Sequence, residues 1–130
     1  MDMTSFRALQ DFRSSIPFVR DLFVAYAQPV ERQLSRGRST PYLAIGRNFE
    51  SELLVDETGR LFDHLDGAWV FVNSSLRQFL EALRALDSFL GDERDDVARL
   101  RQELTSIDAA ALEPNACWAL LLEEYDAGVL

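Results

Sequence analysis

Phe71-Val72-Asn73-Ser74-Ser75-Leu76-Arg77-Gln78-Phe79-Leu80-Glu81-Ala82-Leu83 decides the fold, because within it an apolar strand passes through three small polar residues straight into an amphipathic helix. Upstream, Ala68-Trp69-Val70-Phe71-Val72 is a continuous β-branched and aromatic run, the composition of a strand buried on both faces or nearly so. Downstream the period changes. Leu76, Phe79, Leu80, Leu83, Leu86 and Leu90 recur at three- and four-residue steps, which places them on one stripe of an α-helix. Ser75 and Gln78 have the spacing of a capping box, with Asn73 and Ser74 as competing cap residues.

Working back from that joint, Asp66-Gly67 reads as a turn and Arg60-Leu61-Phe62-Asp63-His64 as a strand. Asp56-Glu57-Thr58-Gly59 fits a type I turn with Gly59 in the left-handed position beside a bulge, closing a hairpin with the strand Glu52-Leu53-Leu54-Val55. Tyr42-Leu43-Ala44-Ile45-Gly46 is a further strand, and Arg47-Asn48-Phe49-Glu50 a loop. Residues 18–27 fit either a strand, centred on Leu22-Phe23-Val24-Ala25-Tyr26, or a helix begun at Pro17. The strand is preferred, and Pro29 is expected to end either one. Residues 35–41 are polar and cationic, a flexible loop by composition.

Helices flank this meander. Phe6, Leu9 and Phe12 recur every three residues within 1–13, the pattern of a short helix whose apolar edge packs on the sheet, and Ser14-Ser15-Ile16-Pro17 breaks it. Residues 92–105 place Val97, Leu100, Leu104 and then Ile107 on one stripe, with Gly91 separating this helix from the previous one. Pro114 is expected at the first position of a last helix, which carries Trp118, Leu121, Leu122 and Tyr125 on one face, leaves Glu123 and Glu124 outside, and ends at Gly128. The predicted class is α+β, an antiparallel β-meander of about four to six strands packed against C-terminal helices.

At 130 residues and 48% hydrophobic, the chain reads as a single domain, 1–130, able to bury a core without disulfide or structural metal. It carries no long apolar run and no basic-then-apolar leader, so the expected compartment is the cytoplasm, away from any membrane. Cys117 is alone and is read as core filling. All thirteen cationic residues are arginine. Residues 1–49 hold seven Arg against four acids, net +3, and residues 50–130 six Arg against eighteen, net −12. A field of that sign disfavours nucleic-acid binding and suits a basic protein partner, while also serving plain solubility.

Catalytic constellations are missing from the pattern. Cys117 lies among apolar neighbours, and His64, the only histidine, sits at a hairpin end where a surface role is the ordinary one. Asp92-Glu93 and Asp95-Asp96 stand at a helix start, where capping accounts for them better than a metal does. The carboxylate pairs Asp63 with Asp66 and Glu123 with Glu124 have no sign of a pocket around them, and there is no glycine-rich phosphate loop. No enzyme, cofactor or metal is expected.

The order of these elements, the Phe71-Val72-Asn73-Ser74-Ser75-Leu76 step, and the Trp118-x-x-x-Leu122-Glu123-Glu124 helix with Gly128-Val129-Leu130 resemble the SUKH superfamily, most closely its fourth group of bacterial immunity proteins. The likeness covers about residues 40–130. It implies a non-enzymatic protein that binds and neutralises a cognate toxin, a nuclease or nucleic-acid deaminase, by occluding it. The Phe49-Glu50-Ser51-Glu52 connection lacks the glycine and aspartate usual there. A scaffold module of the broader SUKH kind, meeting no toxin, is the alternative, and gene neighbourhood separates the two.

Partner binding is expected where aromatic and arginine residues stand on loops and strand ends without an evident packing role. Tyr42, Arg47, Phe49, Phe62 and Trp69 fit, although Phe62 and Trp69 also suit the core. Around the same hairpins Glu50, Glu52, Asp63 and Asp66 would pair with a basic toxin surface. The expected contact set is Arg47, Phe49, Glu50, Glu52, Asp63, Asp66 and Trp69.

Overall fold

The computed structural model describes residues 1–12, 23–33, 41–91 and 96–126. Its described strands are β1 (Val24–Arg32), β2 (Tyr42–Asn48), β3 (Ser51–Val55), β4 (Leu61–Leu65) and β5 (Ala68–Asn73), hydrogen-bonded antiparallel in sequential order. Helix α1 (Met3–Asp11) precedes them, and α2 (Leu76–Gly91), α3 (Val97–Ile107) and α4 (Cys117–Asp126) follow. This is the expected α+β meander.

Strand alternation separates the sheet into two unlike faces. Leu53, Val55, Leu61 and Val72 join Phe6 and Leu9 of α1, the Leu76 to Leu86 stripe of α2, Leu100 and Leu104 of α3, and Trp118 and Leu122 of α4 in one buried cluster. Complete burial of side chains of this kind is worth about 1.5–3 kcal/mol each, so the predicted helical stripes supply most of the cohesion. The opposite face holds only a small cluster of Tyr42, Ala44 and Leu54, with Tyr26 and Trp69 against it. No helical residue among those described belongs to this second cluster.

The strand Ala68 to Val72 is not buried on both faces. As the last strand of the meander, β5 pairs with β4 alone among the described strands, and only Val72 and Asn73 in it are fully buried. Leu61 pairs with Asn73 and Phe62 with Phe71, so Val72 is an extra residue. This bulge turns Val72 and Asn73 both towards the helices. A similar bulge between Ala44 and Gly46 directs Ile45 into the core.

At the β1 end, residues 24–27 are in a strand, as preferred, but Pro29 does not end it. Proline is tolerated because β1 is an edge strand and its register breaks between Ala25 and Val30. The Arg47 to Glu50 loop is shorter than expected, with β2 running to Asn48 and only Phe49 and Glu50 between the strands. The turn at Gly59 is as predicted, with φ +90° and a hydrogen bond from its amide to the Asp56 carbonyl.

Asp96 caps α3, its carboxylate accepting from the Arg99 amide. Residues 92–95, 14–17 and 128, singled out in the sequence for a helix start, a break and a helix end, lie outside the described residues, as does the cationic segment 35–40. Pro114 is not the first residue of α4, which begins at Cys117. Asn115 at φ +70° turns the chain between them.

Ser75 is the cap of α2, its Oγ accepting from the Gln78 amide at 3.2 Å and donating to Gln78 Oε1 at 2.7 Å. Asn73 and Ser74 do not compete for that role. Asn73 Nδ2 and the Ser74 amide donate to Asp108 Oδ2 at 3.0 and 2.7 Å, the Ser74 hydroxyl donates to Asp108 Oδ1, and the Trp118 indole donates to Asn73 Oδ1 at 2.8 Å. Asn73 and Asp108 are buried, so each bond also removes the cost of an unsatisfied polar group. Asn73 and Ser74 thus tie the sheet to the segment between α3 and α4, while Ser75 serves the helix start alone.

Candidate partner-binding site

Because the meander alternates direction, the β2–β3 and β4–β5 turns lie at the same end of the sheet. The second is a tight turn of Asp66 (φ 50°) and Gly67 (φ 83°), both exposed, with the positive φ values of a primed hairpin. The first contains Phe49 at φ 55°, in the left-handed region that glycine or asparagine usually fills. Phe49 is 74% exposed. An aromatic ring held in water on a strained residue is a cost that folding does not explain, and such outliers concentrate at binding sites. The turn is braced by the Ser51 hydroxyl donating to the Asn48 carbonyl at 2.8 Å and by Arg47 Nη2 donating to the Glu50 carbonyl at 3.1 Å.

The seven candidate residues separate into three groups. Arg47, Phe49 and Glu50 are exposed together on the β2–β3 turn, with Asp66 exposed at the same end of the sheet. Glu52 and Trp69 lie on the face opposite the helices. Glu52 is engaged within the chain, accepting from Arg32 Nε at 2.9 Å, Arg32 Nη2 at 3.1 Å and the Tyr26 hydroxyl at 2.6 Å. Burial pushes its carboxyl up, and the bonds from Arg32 and Tyr26 more than offset this, leaving it below the usual carboxylate range. It fastens β1 across β2 to β3.

Trp69 is the hub of an aromatic surface. Its ring lies 4.8 Å from Tyr42, 4.5 Å from His64 and 6.0 Å from Phe62, and Phe62 in turn meets Phe71 at 5.7 Å. Arg60 stands over Phe62 at 5.6 Å. His64 and Phe71 were not among the sequence candidates, although the alternation of aromatics with Val70 and Val72 already carries the signal of two apolar faces.

Asp63 is in neither place. Side chains alternate along β4, so it shares with Leu61 the face that packs against the helices, opposite Leu53 and Val70. Burial pushes its carboxyl above the usual range, against the smaller opposing effects of the nearby Ser51 and His64. Beneath Phe49 a cavity of about 150 Å³ opens among Asn48, Leu53, Leu83, Cys117 and Leu121. Burial, then Asp63 and Glu124, push the Cys117 thiol up to about 11, so it stays protonated and unreactive at neutral pH. Among the described residues no group of three or more His, Cys, Asp and Glu could hold a metal ion, and no helix is long and apolar enough to cross a membrane.

A family model described as SUKH-4 immunity protein matches residues 10–124. No curated protein and no solved structure matches the chain.

Proposed function

The chain belongs to the SUKH-4 immunity protein family, and from that premise we propose that it binds a cognate toxin of the nuclease or nucleic-acid deaminase type and neutralises it by occlusion, in the cytoplasm and without catalysis of its own. The observation that carries the location is Phe49, exposed on a left-handed turn residue, with Arg47 and Glu50 beside it and Asp66 at the same end of the sheet. An aromatic anchor with charged neighbours is the composition of an interface hot spot. A toxin that handles nucleic acid presents a basic surface, which the net charge of −9 and the rim acids Glu50 and Asp66 complement.

Co-expression tests the reading. The toxin domain encoded next to this gene should kill cells alone and become harmless, in a stable complex, when this chain is present. Phe49→Ala should weaken that complex by about 2 kcal/mol or more if the ring is a hot spot. Failure of the wild-type chain to rescue, with the protein folded, would move the assignment to a scaffold module that meets no toxin.

A further inference from the structure

The two outer strands of the sheet are finished differently. β1 carries the devices that keep an edge from pairing: Pro29, a broken register between Ala25 and Val30, and the charged residues Glu31 and Arg32. β5, Ala68-Trp69-Val70-Phe71-Val72-Asn73, has neither a proline nor a charge. Which of its backbone groups face outward follows from the register. Leu65 and Ala68 flank a two-residue turn and so exchange both hydrogen bonds, and the alternation of an antiparallel ladder then leaves His64 with Trp69, and Phe62 with Phe71, as the pairs without mutual bonds. The Phe71 amide and carbonyl therefore point away from β4, to a side where no described strand lies. The open edge is short. Asn73 is bonded to Asp108 and Trp118, so the chain between α3 and α4 closes it there, while Ala68 is exposed and Phe71 half-buried. Between Phe71 and that connecting chain lies an open crevice of about 280 Å³, lined by Ala110, Glu113, Pro114, Asn115 and Ala116.

We propose that the edge of β5 from Ala68 to Phe71 receives an extended segment of a protein partner as a further strand of the sheet, paired through the Phe71 amide and carbonyl, with one apolar side chain of that segment seated in the crevice. Main-chain bonds supply the affinity in such an addition, and the crevice supplies the selectivity. Asp66 precedes the open stretch and Glu113 stands at its far end, both exposed, so the segment that fits is uncharged in its middle and cationic at each end. A second copy of this chain fits worse. Antiparallel pairing of two β5 strands about a twofold axis would bring Asp66 of one copy towards Glu113 of the other. The edge starts where the Asp66-Gly67 turn ends, so it continues the end of the sheet that carries Phe49. That the partner is a toxin rests on the immunity reading; the strand addition rests on the edge itself.

The test titrates the full chain, isotopically labelled, with the capped peptide Arg-Thr-Val-Thr-Val-Thr-Val-Arg and follows it by NMR and hydrogen exchange. Saturable shifts centred on β5, Ala110 and Ala116 are expected, with slowed exchange of the Phe71 amide. The same peptide N-methylated at every valine and threonine keeps its side chains and charge but offers no amide there, and should bind at least about tenfold more weakly. Glu113→Gln and Asp66→Asn, on exposed acids outside the core, should together weaken the unmethylated peptide by about threefold or more. Absence of saturable shifts, shifts without protection at Phe71, equal affinity for the methylated peptide, or undiminished binding by the folded double variant would overturn the strand addition. Self-association of the chain that the peptide disperses would give the edge to a second copy and overturn it as well. Cell rescue by the wild-type chain is scored separately, so either idea can fail alone.

Discussion

Single residues carry most of what is unusual in this molecule. Gly59 has φ +90° and nothing within 4 Å of where a Cβ would sit, so its requirement is conformational and not steric. Gly59→Val is therefore expected to lower the thermal midpoint by the equivalent of about 1 kcal/mol or more, and an unchanged midpoint would contradict the left-handed turn. Asp63 is the reverse case, a residue whose presence costs stability. Its carboxyl titrates above the usual aspartate range, so the folded chain holds the proton more tightly than the unfolded chain. The resulting stabilisation is complete below the unfolded pKa and lost as pH rises through the folded one. Over the acid range that separates its unfolded from its raised folded pKa, Asp63→Asn should remove that downward component from the stability profile, which urea unfolding at several pH values would read as a shallower relative loss. Asp56 and Glu52 act with the opposite sign, because their carboxyls lie below the usual range and their contribution is lost as pH falls.

At the level of elements, what could be read from the sequence was what local chemistry dictates. The Phe71 to Leu83 step, the Gly59 hairpin and the apolar stripes of α1 to α4 each have a period or a turn residue that is sufficient alone. Pro29 misled because its tolerance depends on β1 being an edge, which is a property of the sheet. Asn73 and Ser74 misled similarly, since their partner Asp108 lies more than thirty residues along the chain. Asp63 passed for a surface acid because nothing in its neighbours tells which face of β4 it takes, whereas Phe49 and Arg47 were legible as loop residues without a packing role. Gly46 shows how tightly the edge strand is laid down. A Cβ there would meet the Val24 carbonyl oxygen and lie 2.6 Å from the Phe23 ring. Gly46→Ala should displace Phe23 and loosen β1, costing about 1–3 kcal/mol, with faster hydrogen exchange in Val24 to Arg32 than in β3 and β4.

For the whole molecule, charge is distributed against shape. The first 49 residues are net +3 and the remainder net −12, so the acidic field comes from the second half of the meander and the helices. If that field steers a basic toxin, the association rate should fall as salt rises from about 50 to 500 mM while dissociation changes little; a salt-independent association rate would rule out steering. The hydrogen-bonded knot around Asp108 has its own consequence, for time. Asn73 is joined to Asp108 across 35 residues and to Trp118 across 45, while the meander is built from neighbouring hairpins. Contacts between near segments close first and those between distant ones last. Asn73→Ala should therefore leave the refolding limb of a chevron almost unmoved and steepen the rate of unfolding, making this knot a latch that sets how long the folded protein survives.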